Sequence, residues 1–196
     1  SWEALADPML KAALVEDFER VGEWLTRTPH KKGSSALRFL PSYEQWVLDI
    51  LGEGDYNEYW KQRGYAIEQY YEEHADVPTI YLGGWYDSYA RGTTDNYVAL
   101  SKMKERPQHL LMGPWTHGGW GSSFSGEVDF GPDAVLDDYN GYRMGWFDRW
   151  LKGIDNGVDR EQPVRIFVMG GGNSEKDRNG RLSHMGVWRE AEDWPL

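Results

Sequence analysis

Apolar residues recur at helical spacing in the first part of the chain. Between residues 8 and 27 an apolar side chain appears every three or four positions, the period of an amphipathic helix. Asp7 is a suitable N-cap for this helix, and Pro8 is suited to its first position because it has no N–H to satisfy. The pattern therefore predicts one long helix over residues 8–27.

Two further helices are predicted before residue 76. The segment S-Y-E-Q that starts at Ser42 fits a capping box, in which Gln45 reaches back to the cap. Another helix, dense in aromatic residues, is predicted from Asp55 to about His74. On this basis we expect residues 1–75 to be wholly helical.

The pattern then changes to strand, helix and strand. Residues 77–82 are a short, mostly apolar run followed by two glycines, which is typical of a buried parallel strand. Thr93 or Thr94 is a candidate cap for a helix that ends near Lys104, and residues 108–112 form a second short apolar run. The order and spacing predict a βαβ unit whose two strands are parallel neighbours.

A long loop and an amphipathic helix follow. Residues 113–136 are rich in glycine, serine and aromatic residues, and loops of this length are usually functional. Asp137 or Asp138 then begins a helix, and Gly153 is a good residue to end it.

The end of the chain has a β-type pattern. Residues 163–169 alternate as a half-exposed strand does, and residues 187–189 favour a further strand. We therefore place a domain boundary near residue 160. The predicted regions are a helical region at 1–75, an α/β region at 76–158 and the start of a β-rich domain at 159–196.

Composition and charge limit the classes of protein and of partner. The 196 residues are 40% hydrophobic and 27% charged, which is typical of a soluble globular protein. A net charge of −11 argues against nucleic acid and anionic membranes as partners. There are no cysteines, and the 11 tryptophans indicate either an aromatic-lined pocket or a well-filled core.

The start of the chain leaves its cellular compartment open. Ser1 is followed by neither a basic segment nor an apolar segment, so no signal peptide is visible and the cytoplasm is favoured. The lack of an initiator Met suggests a truncated or processed chain.

One titratable side chain follows each predicted parallel strand. Asp87 ends the segment G-G-W-Y-D, and His117 lies in G-P-W-T-H-G. Reactive groups collect beyond the carboxyl ends of parallel strands, so these two side chains can come within hydrogen-bond reach. A carboxylate beside an imidazole fixes its tautomer and stabilises the imidazolium that forms when it takes a proton from a nucleophile. The pair predicts the acid and base of a serine-hydrolase triad.

Four sequence blocks together resemble the CocE/NonD and X-Pro dipeptidyl-peptidase (S15) hydrolases. They are V-P-T-I-Y-L-G-G-W-Y-D at 77–87, G-P-W-T-H-G at 113–118, R-M-G-W-F-D-R-W-L-K-G at 143–153 and P-V-R-I-F-V-M-G at 163–170. The resemblance implies a partial α/β-hydrolase fold, with a helical cap before residue 76 and a jelly-roll-like domain beginning near residue 159. It also implies that Asp87 and His117 are the triad acid and base of a serine enzyme that cleaves esters or peptides without a cofactor.

The chain departs from this family in its nucleophile. No G-x-S-x-G elbow is present, and the nearest string, residues 121–126, follows the histidine and no strand leads into it. We therefore expect this chain to carry the acid and the base but not the serine, and to be inactive by itself. The expected partners are a small ester or peptide substrate and the rest of the parent chain; a homo-oligomer is left open.

Aromatic residues flank both loops and leave two interpretations open. They line a substrate pocket, or they pack the loops onto the sheet; the residues are Trp85, Tyr86, Trp115, Trp120 and Phe124. The alternative function is a non-catalytic, aromatic-rich module that binds a ligand or carbohydrate, and an Asp87–His117 separation beyond hydrogen-bond distance without a cleft would favour it. A metal site built from His117, Glu127 and Asp129 has no supporting spacing, so we expect no metal.

Overall fold

The computed structural model describes residues 2–194, except for the side chain of Glu3. These residues divide into two compact units, 2–69 and 70–194, each described here by itself. Within the described residues, no helix combines the length and apolar character needed to cross a bilayer.

The α-helices of the first unit lie within residues 2–52. Its helices are α1 (Trp2–Ala6), α2 (Pro8–Glu19), α3 (Val21–Leu25) and α4 (Pro41–Gly52), with 3₁₀ helices at Ala36–Phe39 and Ile67–Gln69. The predicted cap of α2 is confirmed, because Asp7 Oδ1 accepts the backbone N–H groups of Met9 at 2.9 Å and Leu10 at 3.2 Å. The predicted single helix over 8–27 is instead two helices that meet at Arg20, whose N–H donates to the carbonyl of Asp17 at 3.1 Å.

The predicted capping box of α4 is wrong. The helix begins at Pro41 with Leu40 as its N-cap, so Ser42 already lies inside the first turn. Gln45 does not reach back to the cap; its Nε2 donates to Asp49 Oδ1 at 2.7 Å, one helical turn further on. Proline at the first helical position favours this earlier start because its φ angle is already helical.

The third predicted helix, from residue 55 to 74, is also wrong. This segment consists of turns and short 3₁₀ helices, so residues 1–75 are not wholly helical. Asn57 Oδ1 accepts the backbone N–H of Tyr59 at 2.9 Å, and the Trp60 indole N–H donates to the carbonyl of Glu53 at 2.7 Å. Local hydrogen bonds of this kind compete with the helical ladder, and sequence periodicity does not reveal them.

The predicted βαβ unit is present in the second unit. It consists of β1 (Thr79–Gly84), α5 (Ala90–Met103) and β2 (Gln108–Gly113). The strands are parallel neighbours in register from Thr79 opposite Gln108 to Gly84 opposite Gly113. Helix α5 begins three residues before the earlier of the two predicted caps. The core under the sheet is built from Tyr97, Leu110, Met112, Val164 and Ile166.

The β-type segments near the end of the chain extend the same sheet. Strand β5 (Val164–Met169) runs parallel to β2, and β7 (Gly186–Ala191) runs antiparallel to β5, giving the order β1-β2-β5-β7. The chain is therefore not divided near residue 160, because residues 70–194 form one unit. An alternating strand has one apolar face whichever sheet it joins, so its pattern does not identify its neighbour. The jelly-roll-like domain stays a prediction.

Helix α6 (Tyr139–Lys152) follows the long loop, and its start and end are as predicted. Asp138 caps it by accepting the N–H of Gly141 at 2.8 Å, and Gly153 ends it with a left-handed φ of 71°. The loops carry a small second sheet and three 3₁₀ helices. These are β3 (Phe124–Ser125), β4 (Val128–Asp129), β6 (Leu182–Ser183), and Tyr71–Glu73, Pro132–Ala134 and Val158–Arg160.

Candidate active site

Backbone hydrogen bonds hold together the loops that follow β1 and β2. The N–H of Trp85 donates to the carbonyl of Gly113 at 2.9 Å, and the N–H of Tyr86 donates to that of Trp115 at 3.1 Å. Gly84 makes this approach possible, because a Cβ at that position would lie 2.1 Å from the carbonyl oxygen of Trp115. The strand pairing thus continues into the loops and brings their side chains together.

Asp87 and His117 form a hydrogen-bonded pair at this end of the sheet. His117 Nδ1 lies 3.0 Å from Asp87 Oδ2. The Asp87 side chain is 10% exposed and the His117 side chain 74% exposed, so the pair has a buried acid and an accessible imidazole. Among residues 2–194, no group hydrogen-bonds His117 Nε2, the nitrogen that would face a nucleophile.

Hydrogen bonds keep Asp87 ionised. Burial by itself favours the neutral carboxyl, but the N–H of Tyr89, which donates to Asp87 Oδ1 at 2.9 Å, and the ring of His117 outweigh it. Together they hold the pKa of Asp87 below its ordinary value. A carboxylate that is charged at neutral pH accepts the Nδ1–H of the imidazole and directs Nε2 away from itself.

A small, solvent-open cleft of about 80 Å³ lies beside the pair. This volume is smaller than the roughly 300–1,000 Å³ of a typical small-molecule site. The cleft is lined by both members of the pair, by the end of β1 and by the loop after β2; the residues are Leu82, Gly83, Gly84, Asp87, Trp115, Thr116, His117, Gly118, Trp120 and Tyr139.

Two of the five predicted pocket residues line this cleft. Trp120 is partly exposed and lines the cleft. Trp115 is 4% exposed, and its indole N–H donates to the carbonyl of Ala134 at 2.6 Å, so it packs the loop in place as well as contributing to the wall.

The other three predicted pocket residues lie outside the residues that line the cleft. The indole N–H of Trp85 donates to the carbonyl of Phe167 at 2.8 Å, which places the ring against the sheet. The ring of Tyr86 lies 5.7 Å from that of Phe130. Phe124 lies elsewhere, with the guanidinium of Arg181 at 3.6 Å from its ring centre.

Sequence reasoning missed two tyrosines at the site. Tyr89 donates its backbone N–H to Asp87, and its ring lies 5.2 Å from the imidazole of His117. An aspartate that accepts an N–H two residues ahead is an Asx turn, a local pattern that a sequence can indicate. Tyr139 lies against Trp120 at the cleft, and only the packing of α6 brings it there.

Comparison with known proteins finds a family model and a relative that match this chain. The model of the X-Pro dipeptidyl-peptidase (S15) family matches residues 9–119. The cocaine esterase of Rhodococcus sp. (strain MB1 Bresler) is 26% identical over 202 residues, which cover 99% of this chain and 30% of that protein. The chain therefore spans less than a third of the length of this relative.

Two solved structures also match this chain. An aminopeptidase from the marine sediment archaeon Thaumarchaeota archaeon superposes with a TM-score of 0.50 at 19% identity, over 83% of this chain and 25% of that one. A CocE/NonD family hydrolase from Staphylococcus aureus gives a TM-score of 0.48 at 16% identity, over 76% of this chain and 22% of that one.

Proposed function

The chain belongs to the X-Pro dipeptidyl-peptidase (S15) family, and from this premise we propose that it supplies the acid and base of a serine hydrolase that cleaves ester or peptide bonds. In this proposal Asp87 is the acid and His117 the base. The nucleophilic serine lies outside the 196 residues, so this segment by itself is inactive.

In the proposed reaction, His117 Nε2 takes the proton of the serine hydroxyl as the serine oxygen attacks the substrate carbonyl carbon. The imidazolium that forms is stabilised by Asp87, and it then gives its proton to the leaving alcohol or amine as the scissile bond breaks. Water releases the acyl group from the serine in a second round, with His117 again as the base.

The observation that carries this proposal is the 3.0 Å contact between His117 Nδ1 and Asp87 Oδ2 beside an open cleft. A non-catalytic binding module would need neither a buried carboxylate on the imidazole nor a second ring nitrogen without a partner. The contact distance and the cleft therefore favour hydrolysis over the alternative of a binding module.

The role of His117 is tested with the full-length protein. We expect His117→Ala to lower kcat for hydrolysis of p-nitrophenyl acetate by roughly 10³-fold or more, because the serine loses its base. His74→Ala, a histidine substitution outside the site, is the matched control and should keep the wild-type rate. Equal rates for wild type and His117→Ala would contradict the assigned base.

The position of the nucleophile is tested by covalent labelling. A fluorophosphonate probe should label one serine of the full-length protein, and peptide mass spectrometry should place it outside residues 1–196. Labelling should be much slower in His117→Ala. A label on a serine within residues 1–196 would contradict the proposed division of the triad.

A further inference from the structure

We propose that Ser125 is a positioning residue for the base: its hydroxyl anchors the segment that carries His117 and so holds the imidazole in place. This inference rests on the proposed function and adds a residue to it. Ser125 is not among the residues that line the cleft. It acts through the backbone carbonyl of Pro114, three residues before the base.

The anchoring hydrogen bond is short and buried. Ser125 Oγ donates to the carbonyl oxygen of Pro114 at 2.6 Å. Ser125 is 5% exposed and Pro114 is fully buried, so water does not compete for either partner. Proline has no backbone N–H, and its carbonyl is therefore the one group through which a hydrogen bond can hold this residue. Without the hydroxyl, a buried carbonyl is left unpaired and the segment has to shift to find another donor.

The carbonyls on either side of Pro114 have different partners. Both accept N–H groups from the loop that carries Asp87. The carbonyl of Pro114 accepts from Ser125 instead. The segment before His117 is thus tied to the acid through its neighbours and to β3 through Pro114.

A small sheet fixes Ser125 itself. Ser125 lies in β3 opposite Val128 of β4, and β4 pairs with β6. Because side chains alternate along a strand, Phe124 faces outward and Ser125 faces the Pro114 carbonyl. The hydrogen bond closes residues 114–125 into a loop that contains His117. Since the His117 side chain is 74% exposed, few packing contacts position it, and the closure of this loop takes their place.

The test compares Ser125→Ala with Ser123→Ala in the full-length protein. Ser123 lies in the same loop and donates to Asp129 Oδ2 at 3.2 Å, so this matched control also loses a hydroxyl hydrogen bond but keeps the Pro114 contact. Hydrolysis of p-nitrophenyl acetate gives kcat and KM. Labelling with excess fluorophosphonate gives a rate, which reports the geometry of the base, and a final extent, which reports the fraction of folded protein. Ser125→Thr, which keeps a hydroxyl, and Ser125→Ala combined with His117→Ala complete the set.

We expect Ser125→Ala to lower kcat and the labelling rate roughly 10- to 100-fold, because a misplacement of about 1 Å can cost about 100-fold. KM and the final extent of labelling should stay within about twofold of wild type, since neither binding nor folding is lost. Ser123→Ala should keep the wild-type values, and Ser125→Thr should keep more of the rate than Ser125→Ala. When His117 is already alanine, Ser125→Ala should change the residual rate by less than about twofold, because it acts through that imidazole.

Several results would overturn the inference while the wild type still hydrolyses the ester. They are a wild-type kcat in Ser125→Ala, an equal loss in Ser123→Ala, a Ser125→Thr variant as slow as Ser125→Ala, and a full loss that persists without His117. A lowered extent of labelling at an unchanged rate would do the same, because it reports loss of folded protein. If the wild type neither hydrolyses the ester nor takes the label, the proposed function fails instead.

Discussion

Replacing Gly84 by alanine tests how the two loops of the candidate site are held together. Gly84 is the last residue of β1, and a Cβ built on it would lie 2.1 Å from the carbonyl oxygen of Trp115 and 2.8 Å from its carbonyl carbon. Both of these are backbone atoms, so no side chain can rotate away to make room. The two loops have to separate, and the hydrogen bonds that Trp85 and Tyr86 donate across the gap are strained or lost.

The expected cost follows from these contacts. Each lost backbone hydrogen bond costs about 0.5–1.5 kcal/mol, and forcing a methyl group into a filled space costs about 1–3 kcal/mol more. With two hydrogen bonds affected, Gly84→Ala should lower the free energy of unfolding by about 2–6 kcal/mol. The same displacement moves Asp87 away from His117, so esterase activity of the full-length protein should fall as well.

Urea unfolding of the full-length protein, followed by tryptophan fluorescence, measures this cost. Gly92→Ala is the matched control, because Gly92 lies inside α5 with no atom within 4 Å of a built Cβ. Alanine there should stabilise the protein by about 0.5–1 kcal/mol, since glycine is a poor helix residue. An unfolding midpoint for Gly84→Ala at or above that of wild type would refute the argument that backbone proximity holds the loops together.

Two further predictions concern buried aromatic groups. Trp115→Phe should destabilise the protein by about 1–3 kcal/mol in urea unfolding, because the carbonyl of Ala134 loses its indole donor in a buried environment. Burial raises the pKa of Tyr81, Tyr97 and Tyr142 to about 12, so the unfolded chain releases these protons near pH 10 while the folded protein keeps them. The folded state therefore binds more protons, and the urea midpoint should fall as the pH rises from about 10 to 12.

Each of these two predictions has a control. Trp46→Phe at an exposed position should leave the urea midpoint within error of wild type, and an equal loss in Trp46→Phe and Trp115→Phe would contradict the buried hydrogen bond. A urea midpoint that stays constant between pH 10 and 12 would contradict the raised tyrosine pKa values. Tyr81→Phe should make the decline with pH shallower.

The parts of the fold that the sequence predicts are those with strong local signals. The apolar runs of β1 and β2 flank a helix of the right length, and parallel pairing of such strands follows from general rules of βαβ units. Asp138 and Gly153 bound α6 because the first supplies a capping oxygen and the second adopts a left-handed φ without strain. Asp87 and His117 were found for a related reason, since both lie just after parallel strands.

Other features depend on contacts that the hydrophobic pattern does not show. Aromatic residues at helical spacing between 55 and 74 suggested a helix, but side-chain hydrogen bonds of Asn57 and Trp60 satisfy the backbone in another way. Strand β5 joins β2, although its alternating pattern fits any sheet with one covered face. In the first place local side-chain hydrogen bonds replace the helix, and in the second the pairing of strands far apart in the chain decides which sheet is joined.

The candidate active site, like the fold, has features that the sequence predicts and features that it does not. The sequence alone predicted a carboxylate and an imidazole at neighbouring strand ends. The end of a strand can be recognised from its own residues, and parallel neighbours end at the same edge of the sheet. Only the tertiary structure decided that Trp85 packs against the sheet, that Trp120 stands at the cleft and that Tyr139 stacks on it. Residue type does not distinguish these roles, because a tryptophan ring packs wherever the surrounding chain leaves a space for it.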